Sequence, residues 1–312
     1  MDADGIQPRV IVICGPTALG KTSAAIQLAE MYNGEIIGAD SMQIYKYMDI
    51  GTAKPTADEQ SRIKHHMIDI IDPDEHFDAR QYAVMARDTI KKLDYQNKIS
   101  FVVGGTGFYI KALLSGLFSF EPGGENIRTA LKEEAEIRGP AVLYARLCRQ
   151  DPDAAKKIHP NDTYRIIRAL EVLASTGKTL SGFHKAHGFN DRPFVVLKIG
   201  LHIPREMLYD RINKRVELMI DKGLVDEVKT LLAMGFSPES KSMQSIGYRH
   251  MVDFIKGDRA WEETVRTLKR DTRRYAKRQM TWFRADPEVL WKTPDALQDI
   301  ETLIKKFLQK GS

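Results

Sequence analysis

The feature that most constrains this chain is a glycine-rich segment near its amino terminus. Residues 15–22 read GPTALGKT and fit the pattern G-x-x-x-x-G-K-[ST], in which backbone N–H groups cradle phosphate oxygens. The apolar run at residues 10–14 predicts a buried parallel strand, and residues 22–31 predict a helix whose positive dipole end faces the anion. We therefore predict a phosphate-binding loop, with Thr22 as a Mg²⁺ ligand, made of Gly15, Pro16, Thr17, Ala18, Leu19, Gly20, Lys21 and Thr22.

Strand and helix signals alternate along the first third of the chain. Apolar runs predict strands at residues 35–39 and 100–103, and residues 79–93 between them predict a helix. This alternation predicts an α/β fold with a doubly wound parallel sheet. Ligands of such sheets bind beyond the carboxyl ends of the strands. Gly15, Asp40 and Gly104 follow three predicted strand ends, so we expect their loops to meet at one crevice.

The middle of the chain has a different character. Strand signals are absent from about residue 120 to 192, where residues 163–174 predict the clearest of several helices. A strand signal returns at residues 194–201, and after Pro204 the pattern is helical almost to the end. We predict a P-loop core with carboxy-terminal helices, formed by residues 1–119 and 194–312, and a helical insertion domain at residues 120–193.

Composition excludes several classes of protein. The chain has two cysteines, Cys14 and Cys148, and no C-x-x-C pair, which argues against a structural zinc site or a disulfide framework. No apolar run approaches the length of a membrane span, and the amino terminus lacks a signal-peptide pattern. We therefore expect a cytoplasmic protein. A formal net charge of +5 is compatible with a polyanionic partner.

The phosphate loop alone does not establish nucleotide hydrolysis. The strand at residues 100–103 ends in Gly-Gly-Thr-Gly, where a nucleotide hydrolase would be expected to carry an acid. Asp40 or Asp69 are the alternatives for that acid, although neither follows a long apolar strand. Asp40, at a strand end beside the phosphate loop, can be a general base, a metal ligand or a helix cap.

Positive charge is concentrated in one predicted helix near the carboxy terminus. Residues 265–284 contain eight basic residues and one acid, Asp271. Helical spacing predicts a phosphate-contacting face with Arg266, Arg270, Arg273 and Lys277. The opposite face, packing inward, is predicted to carry Val265, Leu268, Thr272, Tyr275, Gln279 and Trp282. Trp282 and Phe283 can either stack on a base or pack in the core.

A series of motifs in fixed order resembles one family, the tRNA dimethylallyltransferases, also called tRNA isopentenyltransferases. After the phosphate loop come DSMQIY from Asp40, GTAKP, HHMID, VGGTGFY, YRIIRALEV, QSIGYR and TRRYAKRQMTWFR. The resemblance covers nearly the whole chain. It departs from the family pattern at Leu19, where a serine is common, and at His250, where an acid is common. The zinc finger of eukaryotic relatives is missing, which favours a bacterial-type enzyme.

The resemblance implies a reaction and its substrates. The family transfers a dimethylallyl group from dimethylallyl diphosphate to N6 of the adenosine 3′-adjacent to the anticodon in tRNA, with Mg²⁺ as cofactor. It implies Asp40 as the base for N6, and it places Thr106 and Arg215 near the reacting groups. Lys21 and the loop N–H groups suit the stabilisation of the leaving diphosphate. The partners implied are the tRNA anticodon stem-loop and dimethylallyl diphosphate, with no protein partner, so we expect a monomer.

Further expected tRNA contacts come from the motifs of the resemblance and from the basic helix. Gln43, next to the proposed base, is expected to read the edge of the adenine. The full set is Asp40, Ser41, Met42, Gln43, Thr106, Arg128, Tyr164, Arg165, Arg168, Gln244, Gly247, Tyr248, Arg249, Arg273, Arg274, Lys277 and Arg278.

Other functions fit part of the sequence. A small-molecule kinase shares the P-loop core but leaves the basic helix unexplained. A non-catalytic RNA-binding ATPase gives no purpose to the loops at Asp40 and Gly104. Prenylation of a free adenine nucleotide retains the chemistry, but the insertion and the basic helix favour a macromolecular acceptor.

Overall fold

A six-stranded parallel sheet forms the centre of the protein. A computed structural model describes residues 7–117, 125–187 and 191–309. The strand order is β3-β2-β4-β1-β5-β6, and every paired neighbour runs parallel. The strands are β1 Arg9–Cys14, β2 Gly34–Gly38, β3 His65–His66, β4 Ile99–Gly104, β5 Val195–Leu201 and β6 Val289–Lys292.

Helices connect these strands and complete the chain. Among the described residues, no helix is long and apolar enough to cross a membrane. The helices are α1 Lys21–Met31, α2 Ala57–Arg62, α3 Ala79–Tyr95, α4 Gly107–Ser115, α5 Glu125–Arg138, α6 Pro140–Gln150, α7 Pro152–Ala155, α8 Thr163–Thr176, α9 Leu180–His187, α10 Arg205–Asp221, α11 Leu224–Ala233, α12 Tyr248–Ile255, α13 Trp261–Arg284 and α14 Leu297–Gln309.

The predicted α/β fold with a parallel sheet is confirmed, with two strands more than the sequence indicated. β3 has two residues and pairs only with Ile36 and Ile37 of β2. β6 pairs with β5, so the prediction of a helical chain after Pro204 is wrong at this point. Both missed strands lie at the edges of the sheet. Short edge strands lack the long buried run by which the central strands are recognised, and Leu290 of β6 is exposed.

The central strands are buried on both faces. All residues of β1 from Val10 to Cys14 are at most 1% exposed, as expected for a parallel strand covered by helices on each side. In register, Cys14 lies beside Gly104 of β4 and Gly200 of β5. The carboxyl ends of these strands therefore form one edge, and the loops that follow β1, β2 and β4 project from it.

The contacts within the chain divide it into two compact units. The first comprises Met1–Leu114 and Arg192–Ser312 and contains the sheet, and the second comprises Ser115–Asp191. The second unit contains α5 to α9, packed around Leu143, Leu147, Ile166 and other buried residues. Residues 120–124 and 188–190 of the predicted insertion lie outside the described residues.

Candidate active site

The loop after β1 is shaped for an anion. Gly15 adopts φ 135°, and a Cβ there would lie 2.7 Å from the Leu201 carbonyl oxygen, so only glycine fits. Gly20 adopts a left-handed conformation (φ 76°) immediately before α1. No side chain caps α1, so its first N–H groups remain available to a ligand. Together with the helix dipole, these groups make the end of α1 a site for phosphate oxygens.

Two cations and one carboxylate interact at this loop. Lys21 Nζ donates a hydrogen bond to the Pro16 carbonyl oxygen at 2.8 Å, which folds the side chain back over the loop. Burial and the nearby charge of Arg215 lower the pKa of Lys21 to about 8, and Asp40 opposes the shift. Burial also lowers the pKa of Arg215, again opposed by Asp40. Two cations held this close favour the binding of a polyanion between them.

The lowered pKa of Lys21 predicts how donor binding depends on pH. Below about pH 8, Lys21 already carries its charge in the free protein. Above that pH, the neutral Lys21 amine must take up a proton when a diphosphate binds, so the Kd of the diphosphate should rise with pH, by up to about tenfold per pH unit. The measurement is the Kd of an alkyl diphosphate from pH 7 to 10, because the terminal phosphate of such an ester loses its last proton at about pH 6. Lys21→Arg, which stays charged, should remove the rise, and a rise of equal size in that variant would contradict this assignment.

Asp40 lies in the loop after β2 and uses one carboxylate oxygen to hold it. Oδ1 accepts hydrogen bonds from the backbone N–H groups of Met42 (2.9 Å) and Gln43 (3.4 Å). The residues that follow form turns, so the helix-cap alternative is wrong in detail: Asp40 stabilises a turn. Oδ2 makes no hydrogen bond with any residue in the part of the chain that the structure describes, which leaves it available to accept a proton.

The loops after β2 and β4 are joined directly. Gly104 lies so close to β2 that a Cβ would be 2.1 Å from the Ala39 carbonyl oxygen. The Thr106 backbone N–H donates to the same oxygen at 3.0 Å, and Thr106 Oγ1 accepts from the Ser41 N–H at 3.1 Å. The predicted site residue Thr106 therefore fixes the backbone next to Asp40.

A residue that was predicted only to pack inward connects two of these loops. Gln279 of α13 is 6% exposed. Its Oε1 accepts from the Thr17 N–H of the phosphate loop, and its Nε2 donates to the Gly105 carbonyl oxygen, both at 3.0 Å. A Cβ on Gly105 would lie 2.2 Å from that nitrogen, which explains the second glycine of the Gly-Gly-Thr-Gly segment. The only sequence signal for this role is an amide on an otherwise inward-facing stripe.

A second support holds the loop formed by residues 49–54. Glu227 of α11 accepts hydrogen bonds from three consecutive backbone N–H groups, those of residues 49, 50 and 51, at 2.7–3.1 Å. It also accepts one from the Tyr248 hydroxyl at 2.6 Å. Tyr248, predicted to contact tRNA, is fully buried, and its ring leaves no room for a Cβ on Gly51. Its side chain therefore supports the loop.

Contacts of the same loop show that Asp69, one of the two candidates for an acid at the phosphate site, has a different role. Asp69 pairs with the buried amine of Lys54 at 2.5 Å, and that amine also contacts Asp49. Asp69 does not line the cavity at the phosphate loop. Of the two acids considered from the sequence, Asp40 is the one that lies at the site.

The strand-end loops, α10 and α13 enclose a cavity of about 550 Å³. Six predicted residues of the first unit are not part of its wall: Gly15, Pro16, Thr106, Arg273, Arg274 and Lys277. The predicted residues that line it are Thr17, Ala18, Leu19, Gly20, Lys21, Thr22, Asp40, Ser41, Met42, Gln43, Arg215, Gln244, Gly247, Tyr248, Arg249 and Arg278.

The basic stretch lies on α13, and acids balance part of it. Arg266 forms an ion pair with Glu263 at 2.7 Å, and Lys269 forms one with Glu217 of α10 at 2.6 Å. Neither acid lies within residues 265–284, so the sequence of that segment alone does not show these ion pairs. The prediction of an unbalanced helix is therefore wrong for its first half.

Asp271, the acid within residues 265–284, forms ion pairs with several arginines. The shortest N–O distances from its carboxylate are 2.8 Å to Arg249, 2.9 Å to Arg270 and 3.7 Å to Arg274. Burial works against its ionisation, but the hydrogen bonds and charges of Arg270 and Arg249 lower the pKa of Asp271 to about 2. Arg270 is thus held by a carboxylate, contrary to the prediction that it meets phosphates.

The second half of α13 keeps its positive charge. Arg273 donates to the neutral amide oxygen of Asn213 at 2.7 Å, and no carboxylate among the described residues pairs with it. Lys277, Arg278 and Arg284 are exposed, and among residues 7–117, 125–187 and 191–309 none of the three has a carboxylate partner. This half of the helix is the candidate phosphate-contacting surface.

The inward face of α13 follows the prediction except at its end. Leu268 is 1% exposed, and Leu268, Thr272, Tyr275 and Gln279 face the cavity. Trp282 is 41% exposed, whereas Phe283 is 4% exposed and takes the core position. The prediction that Trp282 packs inward is therefore wrong, because at the end of α13 the inward-facing position is occupied by the next residue, Phe283.

In the second unit, the residues predicted to contact tRNA interact with side chains close to them in the structure of that unit. The Arg128 guanidinium lies 5.3 Å from the centre of the exposed Tyr164 ring, a cation–π contact. Arg165 pairs with Asp162 at 3.4 Å. Arg168 pairs at 3.0 Å with Glu171, which is 3% exposed.

The oxygen atoms available in the cavity fit a Mg²⁺ ion that is coordinated partly by the protein and partly by a bound phosphate ligand. No cluster of three His, Cys, Asp or Glu side chains suited to a metal occurs among the described residues. The Thr22 hydroxyl lines the cavity and has no hydrogen-bond partner within that part of the chain. Mg²⁺ commonly takes one or two protein oxygens together with phosphate oxygens and water, which matches Thr22 and a phosphate ligand.

Comparison with known proteins gives consistent results. A sequence profile described as IPP transferase matches residues 43–286. The tRNA dimethylallyltransferase of Desulfosudis oleivorans is 54% identical over 306 residues, which covers 98% of each chain. A tRNA dimethylallyltransferase 2 of Syntrophus aciditrophicus is 51% identical over 97% of each chain.

Solved structures with the same fold have related names. A tRNA isopentenylpyrophosphate transferase from Bacillus halodurans matches with a TM-score of 0.74 and 39% identity, over 97% of this chain and 98% of that one. A eukaryotic dimethylallyltransferase acting on tRNA matches with a TM-score of 0.78 and 32% identity, over 92% of this chain and 74% of that one.

Proposed function

The chain belongs to the IPP transferase family, and on this premise we propose that it is a tRNA dimethylallyltransferase. It transfers the dimethylallyl group from dimethylallyl diphosphate to N6 of the adenosine 3′-adjacent to the anticodon in tRNA. One observation carries the proposal: the phosphate loop with Lys21, the Arg215 guanidinium and the Asp40 carboxylate all line a single cavity. A donor diphosphate and a nucleophile that must lose a proton need this combination.

The proposed step exchanges one bond for another. The N6 lone pair of the adenosine attacks the allylic carbon, and the bond from that carbon to the diphosphate oxygen breaks. The diphosphate leaves with the bonding electrons, and the N6 proton moves to Asp40 Oδ2. Proton removal matters because delocalisation of the lone pair into the ring makes an exocyclic amine a weak nucleophile.

The donor side is proposed to be held by charge and backbone donors. Negative charge grows on the diphosphate as it leaves, and the Lys21 ammonium, the Arg215 guanidinium and the first N–H groups of α1 are arranged to stabilise it. Bound Mg²⁺, for which Thr22 is the proposed protein ligand, would neutralise further charge on the leaving group.

The acceptor side is proposed to be read by Gln43. Its amide nitrogen donates to the carbonyl oxygens of Thr52 (3.2 Å) and Ala53 (3.1 Å), which determines the orientation of the amide. Oε1 is then left as a hydrogen-bond acceptor in the cavity wall. An acceptor suits the N–H of an adenine exocyclic amine, and Gln43 lies three residues along the chain from the proposed base Asp40.

The tRNA backbone is proposed to contact the second half of α13, together with the arginines of the second unit. The target adenosine lies within the anticodon loop, so it must leave the base stack to enter the cavity. We propose that the protein acts in the cytoplasm as a monomer, since no step requires a second subunit.

The charge on α13 predicts a specific effect of salt. Lys277→Gln should weaken the binding of tRNA and flatten the slope of log K against log salt by about 0.7 to 0.9. The matched control is Arg266→Gln on the same helix, because Glu263 already pairs with that arginine. Binding curves from low to high salt give both slopes. Equal slopes in wild type and Lys277→Gln would remove this surface from the tRNA site.

One set of assays separates the proposal from its alternatives. Radiolabelled dimethylallyl diphosphate is incubated with the protein, Mg²⁺ and either tRNA or AMP, and γ-labelled ATP is supplied in parallel. We expect label in tRNA alone. Label in AMP at a comparable rate would support prenylation of a free nucleotide, and transfer from ATP to a small molecule would support a kinase.

A further inference from the structure

An aromatic pair stands exposed next to the candidate active site. Trp282 of α13 and Phe108 of α4 are 41% and 48% exposed, with ring centres 6.3 Å apart and planes nearly perpendicular at 85°. A Cβ on Gly107 would lie 2.1 Å from the indole, so the absence of a side chain there lets the indole lie against the start of α4. The indole thus contacts the start of α4 at Gly107 and the ring of Phe108, and the rest of its surface is exposed to solvent.

Both rings are close in sequence to the cavity but outside its wall. Trp282 follows Arg278, a cavity-lining residue, by four positions, which is about 6 Å along a helix. Phe108 comes two residues after Thr106, which fixes the loop of Asp40 through Ser41. The pair therefore lies about one helical turn from residues that border the proposed site of the target adenine.

The surroundings of the pair are cationic. Lys277, Arg278 and Arg284 lie within one and a half turns of Trp282, all three are exposed, and no carboxylate of the described residues pairs with them. Large rings set among uncompensated cations suit a ligand with planar apolar faces and a negative backbone. Single-stranded nucleic acid has this chemistry, because each unpaired base offers a face and each linkage a phosphate.

We propose that Trp282, supported by Phe108, is the stacking platform for an unpaired anticodon-loop base next to the adenosine that enters the cavity. The inference rests on the proposed function and identifies how the loop is held open. When one base leaves the stack, its neighbour loses a stacking partner. The indole face replaces that partner and stabilises the flipped arrangement.

The first test is RNA affinity. Trp282→Ala should raise the Kd of a synthetic anticodon stem-loop about 5- to 150-fold, the range for one lost base–aromatic stack. The salt slope should not change, since no charge is removed, and Trp282→Phe should retain most of the affinity. Tyr95→Ala, at a ring that is 90% exposed on α3, is the matched control. Wild-type affinity in Trp282→Ala, or a loss confined to its melting temperature, would overturn the proposal.

A second test identifies the partner base. Abasic replacement at one loop position should weaken binding to the wild type and add little to the defect of Trp282→Ala, because both changes remove the same stack. The chain has three tryptophans, so a variant with Trp261→Phe and Trp291→Phe reports the fluorescence of Trp282 alone. That fluorescence should be quenched by the stem-loop and not by its abasic form. Additive losses at every position would overturn the stacking assignment.

These outcomes distinguish the inference from the function on which it rests. If the wild type neither binds the stem-loop nor prenylates it, the proposed function fails and the inference fails with it. If the wild type binds and prenylates the stem-loop while Trp282→Ala behaves identically, the inference alone is wrong.

Discussion

Asp40→Asn should lower the single-turnover rate of prenyl transfer by about 10²- to 10⁴-fold, the usual range for the loss of a general base. Asparagine retains an oxygen that can accept from the Met42 and Gln43 N–H groups, so the turn should persist. What it lacks is an oxygen able to take the N6 proton. The binding of tRNA should therefore stay close to that of the wild type, and so should the melting temperature.

Two further results would assign Asp40 to another role. Partial recovery of activity at high Mg²⁺, with weaker donor binding, would indicate a metal ligand. A loss of about 1 kcal/mol of stability with the rate preserved would indicate a purely structural turn. Asp69→Asn is the matched control, since Asp69 pairs with Lys54 outside the cavity. It should affect the melting temperature more than the rate.

Lys21→Ala should lower the rate of transfer by about 10²-fold or more in a protein that still folds. The physical reason is that charge grows on the departing diphosphate, and Lys21 is the loop side chain that can neutralise it. The measurement is single-turnover transfer together with a melting curve. Lys91→Ala, which removes an exposed charge from α3, is the control. Unchanged transfer in folded Lys21→Ala would place the donor elsewhere.

The parts of the fold that the sequence predicted are those encoded locally. The apolar run of β1, the glycine loop and the start of α1 are contiguous, so their pattern indicated strand, turn and helix together. Short edge strands such as β6 carry no such pattern, because half of their surface faces solvent and their pairing is decided by β5.

The residues of the candidate site also fall into those that local sequence reveals and those whose role arises only in the folded chain. The sequence indicated Lys21, Thr22 and Asp40, since each follows a recognisable strand end. It did not reveal that Gln279 connects the phosphate loop to Gly105, because Gln279 and Thr17 are 262 positions apart and meet only in the folded chain. Glu227 is hidden for the same reason: three backbone N–H groups in a distant loop determine its role.

The charge of α13 also depends on residues outside the basic segment. Arg266 pairs with Glu263, which lies just before residues 265–284, and Lys269 pairs with Glu217 of α10. The net positive surface is consequently shorter than the sequence indicated, and it is confined to the half of the helix that continues towards Trp282.

The most direct test of the account concerns the atom that receives the prenyl group. Two anticodon stem-loops are compared as acceptors with labelled dimethylallyl diphosphate, one natural and one with inosine in place of the adenosine 3′-adjacent to the anticodon. Inosine has an oxygen where adenosine has N6 and retains nearly the same shape. The account predicts label in the natural stem-loop and none in the inosine form. Equal labelling of the two would show that N6 of this adenosine is not the acceptor, and would contradict the proposed function.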